Sequence, residues 1–190
     1  MFFGSSYSKF AQYLIGTALI ALAYFAALYL NSLPLFSWAE FDNYRFVFFF
    51  PAGVKLALIL MFGWQALPGI ALALGTALLT KFEGIVPYAA LGYGVALACS
   101  AHLAVQACSQ VTGKRFPWQG LRPVELLAMV AAVSVLDAVV QQCALILLTL
   151  ETVENFVTDT LLSAFGRASG ALCVFGGLAF ARKSLHRALH

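Results

Sequence analysis

RFVFFFPAGVKLALILMFGWQALPGIALALGTALLT, residues 45–80, decides how the rest of the chain is read. From Phe46 on it consists of two apolar arms around a centre at Gly63-Trp64-Gln65. Each arm opens on a proline, Pro51 in FPAG and Pro68 in LPGI. Proline has no N–H and a fixed φ near the helical value, so it suits the first turn of a helix, where that N–H would lack a partner. Pro51 and Pro68 therefore mark two helix starts, and Gly63 ends the first arm. Pro51 to Gly63 and Pro68 to Thr80 are 13 residues each, or about 20 Å at 1.5 Å per residue. That is short of the ~30 Å hydrocarbon core of a bilayer. The pair is either two short spans backed by other helices or a hairpin that enters and leaves on one side. Non-helical backbone at membrane depth is tolerated only where protein or water shields it. The central turn is thus expected to be packed by neighbouring helices or to lie at a locally thinned interface.

The composition agrees with a membrane setting. Of the 190 residues, 62% are hydrophobic and 10% charged, and the mean hydropathy is +0.89. This is the signature of an all-α integral membrane protein, and one bundle uses the whole length, 1–190, as a single domain. Six apolar segments follow from the hydropathy pattern: about 10–30, 46–63, 66–80, 85–107, 124–150 and 160–181. The second and third form the short helical hairpin, whose structural positions are Pro51, Gly53, Gly63, Pro68 and Gly69. The first segment is longer than the apolar region of a cleaved signal, and Ala23 and Ala27 give it a small-xxx-small face. Asn31 to Arg45, with Pro34 and Trp38, reads as an interfacial loop, and Thr112-Gly113-Lys114-Arg115 as a polar turn.

With six segments, one side receives Lys9, Lys114, Arg115, Arg122, Arg182, Lys183 and Arg187. The other receives Arg45 and Lys81, with the acidic residues Glu40, Asp42, Glu83, Glu151, Glu154 and Asp159. Seven basic residues against two place both termini in the cytoplasm by the positive-inside rule. The basic ends are also suited to anionic lipid headgroups.

Within the opening stretch, Phe50-Pro51-Ala52-Gly53-Val54, Leu56-Ala57-Leu58, Phe62-Gly63 and Leu67-Pro68-Gly69-Ile70 resemble the start of the membrane-associated sensor domains of the first class (MASE type). Those are multi-helix bacterial modules, usually fused to cytoplasmic histidine kinase or diguanylate cyclase domains. The resemblance implies a sensor in the bacterial cytoplasmic (inner) membrane. Family members usually have more helices, and no output domain follows here, so a stand-alone sensor of this kind requires a signalling partner. The family position that matches Lys55 is normally uncharged.

Four ionisable side chains fall inside apolar segments: Lys55, His102, Asp137 and Arg167. Such groups cost several kcal/mol in hydrocarbon and usually face the bundle interior or a wet cavity. Asp137 is 13 residues from either end of the fifth segment, with Ser134 and Gln141 on its face at i−3 and i+4. Arg167 lies seven residues into the sixth segment, about 11 Å deep. Gln141 is nine residues from the same side, about 14 Å deep. Arg167 thus reaches Gln141 and, with its long stem, approaches Asp137. The set is either a buried clamp between the fifth and sixth segments or a polar pocket and switchable coupling element. Gly166 and Gly170 give a GxxxG face there. Lys55 either snorkels to the outer interface or is a cationic group beside a helix N-terminus, at the rim of a pocket. His102 shares a face with Gln106 and Gln110, as a hydrogen-bonded packing histidine or a pH-sensitive group.

The four cysteines, Cys99, Cys108, Cys143 and Cys173, all sit in apolar runs and read as small buried packing residues. No nucleophile–base pair, catalytic carboxylate pair, phosphate loop or metal set is visible, so neither an enzyme nor a cofactor is expected. The basic residues are dispersed at segment ends, which disfavours nucleic acid. The expected partners are the bilayer, a small ligand, and another membrane or cytoplasmic signalling protein to which the change is relayed. The alternative is the substrate-binding subunit of a small-molecule importer, resembling components of energy-coupling-factor transporters, with the Ala23/Ala27 face as its contact. A purely structural assembly protein is a third reading.

Overall fold

A computed structural model describes residues 4–33, 40–42, 45–46, 48–114 and 121–188, excepting the side chains of 4–8, 40–42, 45–46 and 182–188. Pro34, Trp38 and Arg115 lie outside the described residues, as do the side chains of Arg182, Lys183 and Arg187. Six helices carry the fold: α1 (Gly4–Asn31), α2 (Phe50–Phe62), α3 (Leu67–Lys81), α4 (Pro87–Thr112), α5 (Pro123–Leu147) and α6 (Phe156–Ala188). A small antiparallel ladder, β1 (Glu40–Asp42) with β2 (Arg45–Phe46), precedes α2.

Among the described residues, five stretches are long and apolar enough to cross a bilayer: 9–31, 50–81, 87–112, 123–147 and 156–181. The expectation of six separate segments is not met at that count, because α2 and α3 share one 32-residue stretch broken by a 3₁₀ turn, Gly63–Ala66. Pro51 and Pro68 both sit in first turns, and Gly63 takes φ +60° where α2 stops. A residue with a Cβ strains at that angle, so glycine is required where the chain reverses. The turn wastes few hydrogen bonds: the Gly63 N–H donates to the Ile59 carbonyl and the Leu67 N–H to the Trp64 carbonyl. Irregular backbone is thereby kept satisfied at depth.

The helices form a closed ring in which α3 packs on α4, α4 on α5, α5 on α6 and α6 on α2, with α1 between α2 and α3. The two arms of the broken stretch are therefore splayed around α1 rather than zipped together. Tyr24 and Ile20 of α1 fill the gap with Leu56, Ile59 and Ile70. Small residues set the close approaches. A Cβ on Gly94 would collide with the Ala71 carbonyl, which brings α4 onto the α3 backbone. One on Gly53 would lie 2.7 Å from Val174, and one on Gly170 would collide with the Phe49 carbonyl.

These contacts also fix directions. The Asn31 end of α1 meets the start of α2 through the Phe50 N–H, 3.1 Å from Asn31 Oδ1. Along α2, Phe49 faces Gly166 and Gly53 faces Ala171 and Val174, so α2 runs parallel to α6 and opposite to α1. Residues 4 and 188 consequently lie at one end of the bundle. The start of α2 and the end of α3 share the other end, where Phe49, Lys81 and Phe82 line one cavity. At its apex Trp64 stacks on His102, ring centroids 6.2 Å apart. His102 lies ten residues before Thr112, about 15 Å short of that end of α4. The hairpin dips into the bundle and returns. Of the two settings expected for its apex, packing by neighbouring helices is met in part: Ala66 is fully buried and Trp64 lies against His102 of α4, while Trp64 is still 69% exposed and Gln65 exposed.

Two further expectations change. The buried face of α1 runs through Ile20, Tyr24, Ala27 and Asn31, while Ala23 points outward. None of the cysteines is buried: Cys99 and Cys108 are half-buried, and Cys143 and Cys173 face outward. On lipid-facing surfaces a thiol meets an apolar environment without being packed.

Candidate functional site

Asp137 is the centre of the site. It lies ten residues from the end of α5, about 15 Å deep, and is 1% exposed. Its Oδ2 accepts from Lys55 Nζ of α2 at 2.5 Å and from Arg167 Nη1 of α6, and its Oδ1 accepts from Ser100 Oγ of α4 at 2.9 Å. Arg167 Nε also donates to Ser163 Oγ at 3.2 Å, and the Phe49 ring lies 5.5 Å from the guanidinium carbon. One carboxylate thus joins four helices.

Burial gives these bonds their weight. Lys55 and Arg167 are 1% and 4% exposed, and each charge would cost several kcal/mol if left unpaired. Lys55 does not snorkel. The start of α2 hangs from the Gly166 carbonyl, 2.8 Å from the Phe49 N–H and ten residues into α6, so Lys55 sits in the interior rather than at the interface. Arg167 reaches Asp137 directly, not through Gln141. α6 begins at Phe156 and α5 ends at Leu147, which brings Arg167 and Asp137 to nearly the same depth.

Beside the cluster is a cavity of about 420 Å³, with Tyr24, Asn31, Phe49, Tyr93, Gln141 and Arg167 in its wall and Ser32, Lys81 and Phe82 at the end where α1 stops. Gln141, half-buried, belongs to the cavity and not to the ion cluster; Lys55 belongs to the cluster and not to the cavity wall. Arg167 belongs to both. Ser134 is buried on the same helix face. His102 is elsewhere: it lies under Trp64, its Nε2 2.9 Å from Gln106 Nε2. Among the described residues no three His, Cys, Asp or Glu side chains gather as a metal site.

Asn31 and Ser100 complete the site, and sequence reasoning passed over both. Asn31 ends the apolar run of α1, where a polar residue looks like the start of a loop. It is 2% exposed, and its Nδ2 has no hydrogen-bond partner. Ser100 carries no signal that separates it from the other serines in apolar helices. The chain matches no family model, no curated protein and no solved structure.

Proposed function

We propose that the protein is a sensor module of the bacterial cytoplasmic membrane, which binds a small ligand in the cavity and relays its occupancy to a signalling partner. One observation carries this reading: Arg167 is at once part of the cavity wall and part of the ion cluster that holds the α2–α3 hairpin. A ligand that draws on the guanidinium weakens its share of Asp137 and leaves more of that carboxylate to Lys55. A ligand shifts a conformational equilibrium only by its difference in affinity for the two states, and a shared carboxylate supplies such a difference. The resemblance of residues 46–80 to membrane-associated sensor domains supports the same assignment. The seven-to-two basic asymmetry supports placing both termini in the cytoplasm, on the side of the signalling partner. No catalytic step is assigned to the chain.

The alternative, the substrate-binding subunit of a small-molecule importer, rests on the Ala23/Ala27 face of α1, on which Ala27 is buried and Ala23 exposed. Purification from the native membrane in mild detergent, followed by mass spectrometry of bound proteins and small molecules, separates the two. A co-purifying kinase or cyclase is the expected result. An ATPase with its membrane scaffold would overturn the sensor reading.

A further inference from the structure

We infer that the cavity takes a small organic monoanion, a carboxylate on an apolar or aromatic body; this rests on the sensor reading only in treating the cavity as a ligand site. The first ground is charge. Lys55 and Arg167 share one carboxylate, so the buried cluster carries a formal charge of +1. No other described acidic side chain lines the cavity. Glu125 is at the far end of the bundle with Lys114, Glu151 accepts from the Gln142 amide, and Asp159 is two turns up α6 from Arg167. An anion beside Arg167 makes the cluster neutral, and in a low-dielectric site that attraction is strong.

The second ground is a donor with nothing to donate to. The Oδ1 of Asn31 is committed to the Phe50 N–H, which fixes the Nδ2 as the other end of the amide, buried and unpartnered on a side chain that borders the cavity. A buried donor left without a partner is destabilising, and a carboxylate oxygen satisfies it. The third ground is the body of the pocket. Its volume falls within the range of small-molecule sites, and its wall sets the aromatic rings of Phe25, Phe49, Phe82 and Tyr93 beside polar groups at Arg167 and at Ser32, Thr80 and Lys81. Such an acid comes either from the aqueous phase or from the bilayer as a free medium-chain fatty acid.

Calorimetric titration of the full chain in lipid nanodiscs, against empty nanodiscs, tests both sources. Benzoate and octanoate are compared with their neutral counterparts, benzamide and octanamide. At least one acid should bind roughly tenfold more tightly than its amide, and which acid does so identifies the source. Lys55→Met removes the extra charge without touching the cavity wall and should abolish that preference. Asn31→Asp keeps the acceptor for the Phe50 N–H, places a like charge in the wall, and should abolish acid binding. Equal affinity of acid and amide, or a preference that survives Lys55→Met, would overturn the anion assignment while leaving a ligand site in place. Binding by neither acid would overturn it too, and the sensor reading would then be decided by co-purification alone.

Discussion

Asp137 holds two cations with one oxygen and a serine with the other, which makes its removal unlike that of any neighbour. Asp137→Asn leaves two buried cations facing a neutral amide and should cost about 3–5 kcal/mol, read as a fall in the unfolding midpoint in mixed micelles. Lys55→Met leaves the Arg167–Asp137 pair intact, removes the excess charge, and should cost far less or stabilise. Equal losses from the two substitutions would contradict a shared carboxylate. The charged members of the site were legible in the sequence because charge inside an apolar segment demands a partner. The identity of the partner was not. Lys55 is one turn beyond Pro51 and looks like an interfacial residue, until the hydrogen bond from Phe49 to Gly166 shows where α2 starts. Asn31 was illegible for the opposite reason: a polar residue at the end of an apolar run is unremarkable until the next helix seats on it.

The hairpin is held by backbone approaches that side chains cannot replace. Gly53→Ala places a methyl 2.7 Å from Val174 and 2.8 Å from the Ala171 backbone. Such overpacking costs about 1–3 kcal/mol, and Gly53→Leu should prevent assembly, seen as loss of the monodisperse peak in size-exclusion chromatography. Gly16→Ala is the control: it is helical with nothing within 4 Å of the added Cβ, and should be neutral or stabilise by up to about 1 kcal/mol. If both alanines behave alike, the packing of α2 on α6 is wrong. The two prolines and Gly63 were enough to place the breaks of this element from sequence. They could not reveal the splay, because hydropathy fixes where a helix is apolar but not which neighbour it meets. The ends of α4 and α6 extend beyond the apolar runs because polar residues such as Gln110 and Asp159 continue the helix past the hydrocarbon-like stretch.

At the scale of the whole molecule, the ring of helices puts residues 4 and 188 at one end and the hairpin's open side at the other. A cysteine at Glu154 should react with an impermeant thiol reagent from outside intact cells, and one at Lys114 should not, in a background lacking Cys99, Cys108, Cys143 and Cys173. The reverse pattern would invert the orientation. The central claim is that one carboxylate couples the hairpin to the body of the bundle, and a double-mutant cycle on Lys55→Met and Asp137→Asn measures it most directly. The two substitutions should couple by about 1–3 kcal/mol, the double variant recovering part of what Asp137→Asn alone loses. Additivity of the two losses would mean that Lys55 and Asp137 act independently, and would contradict the account.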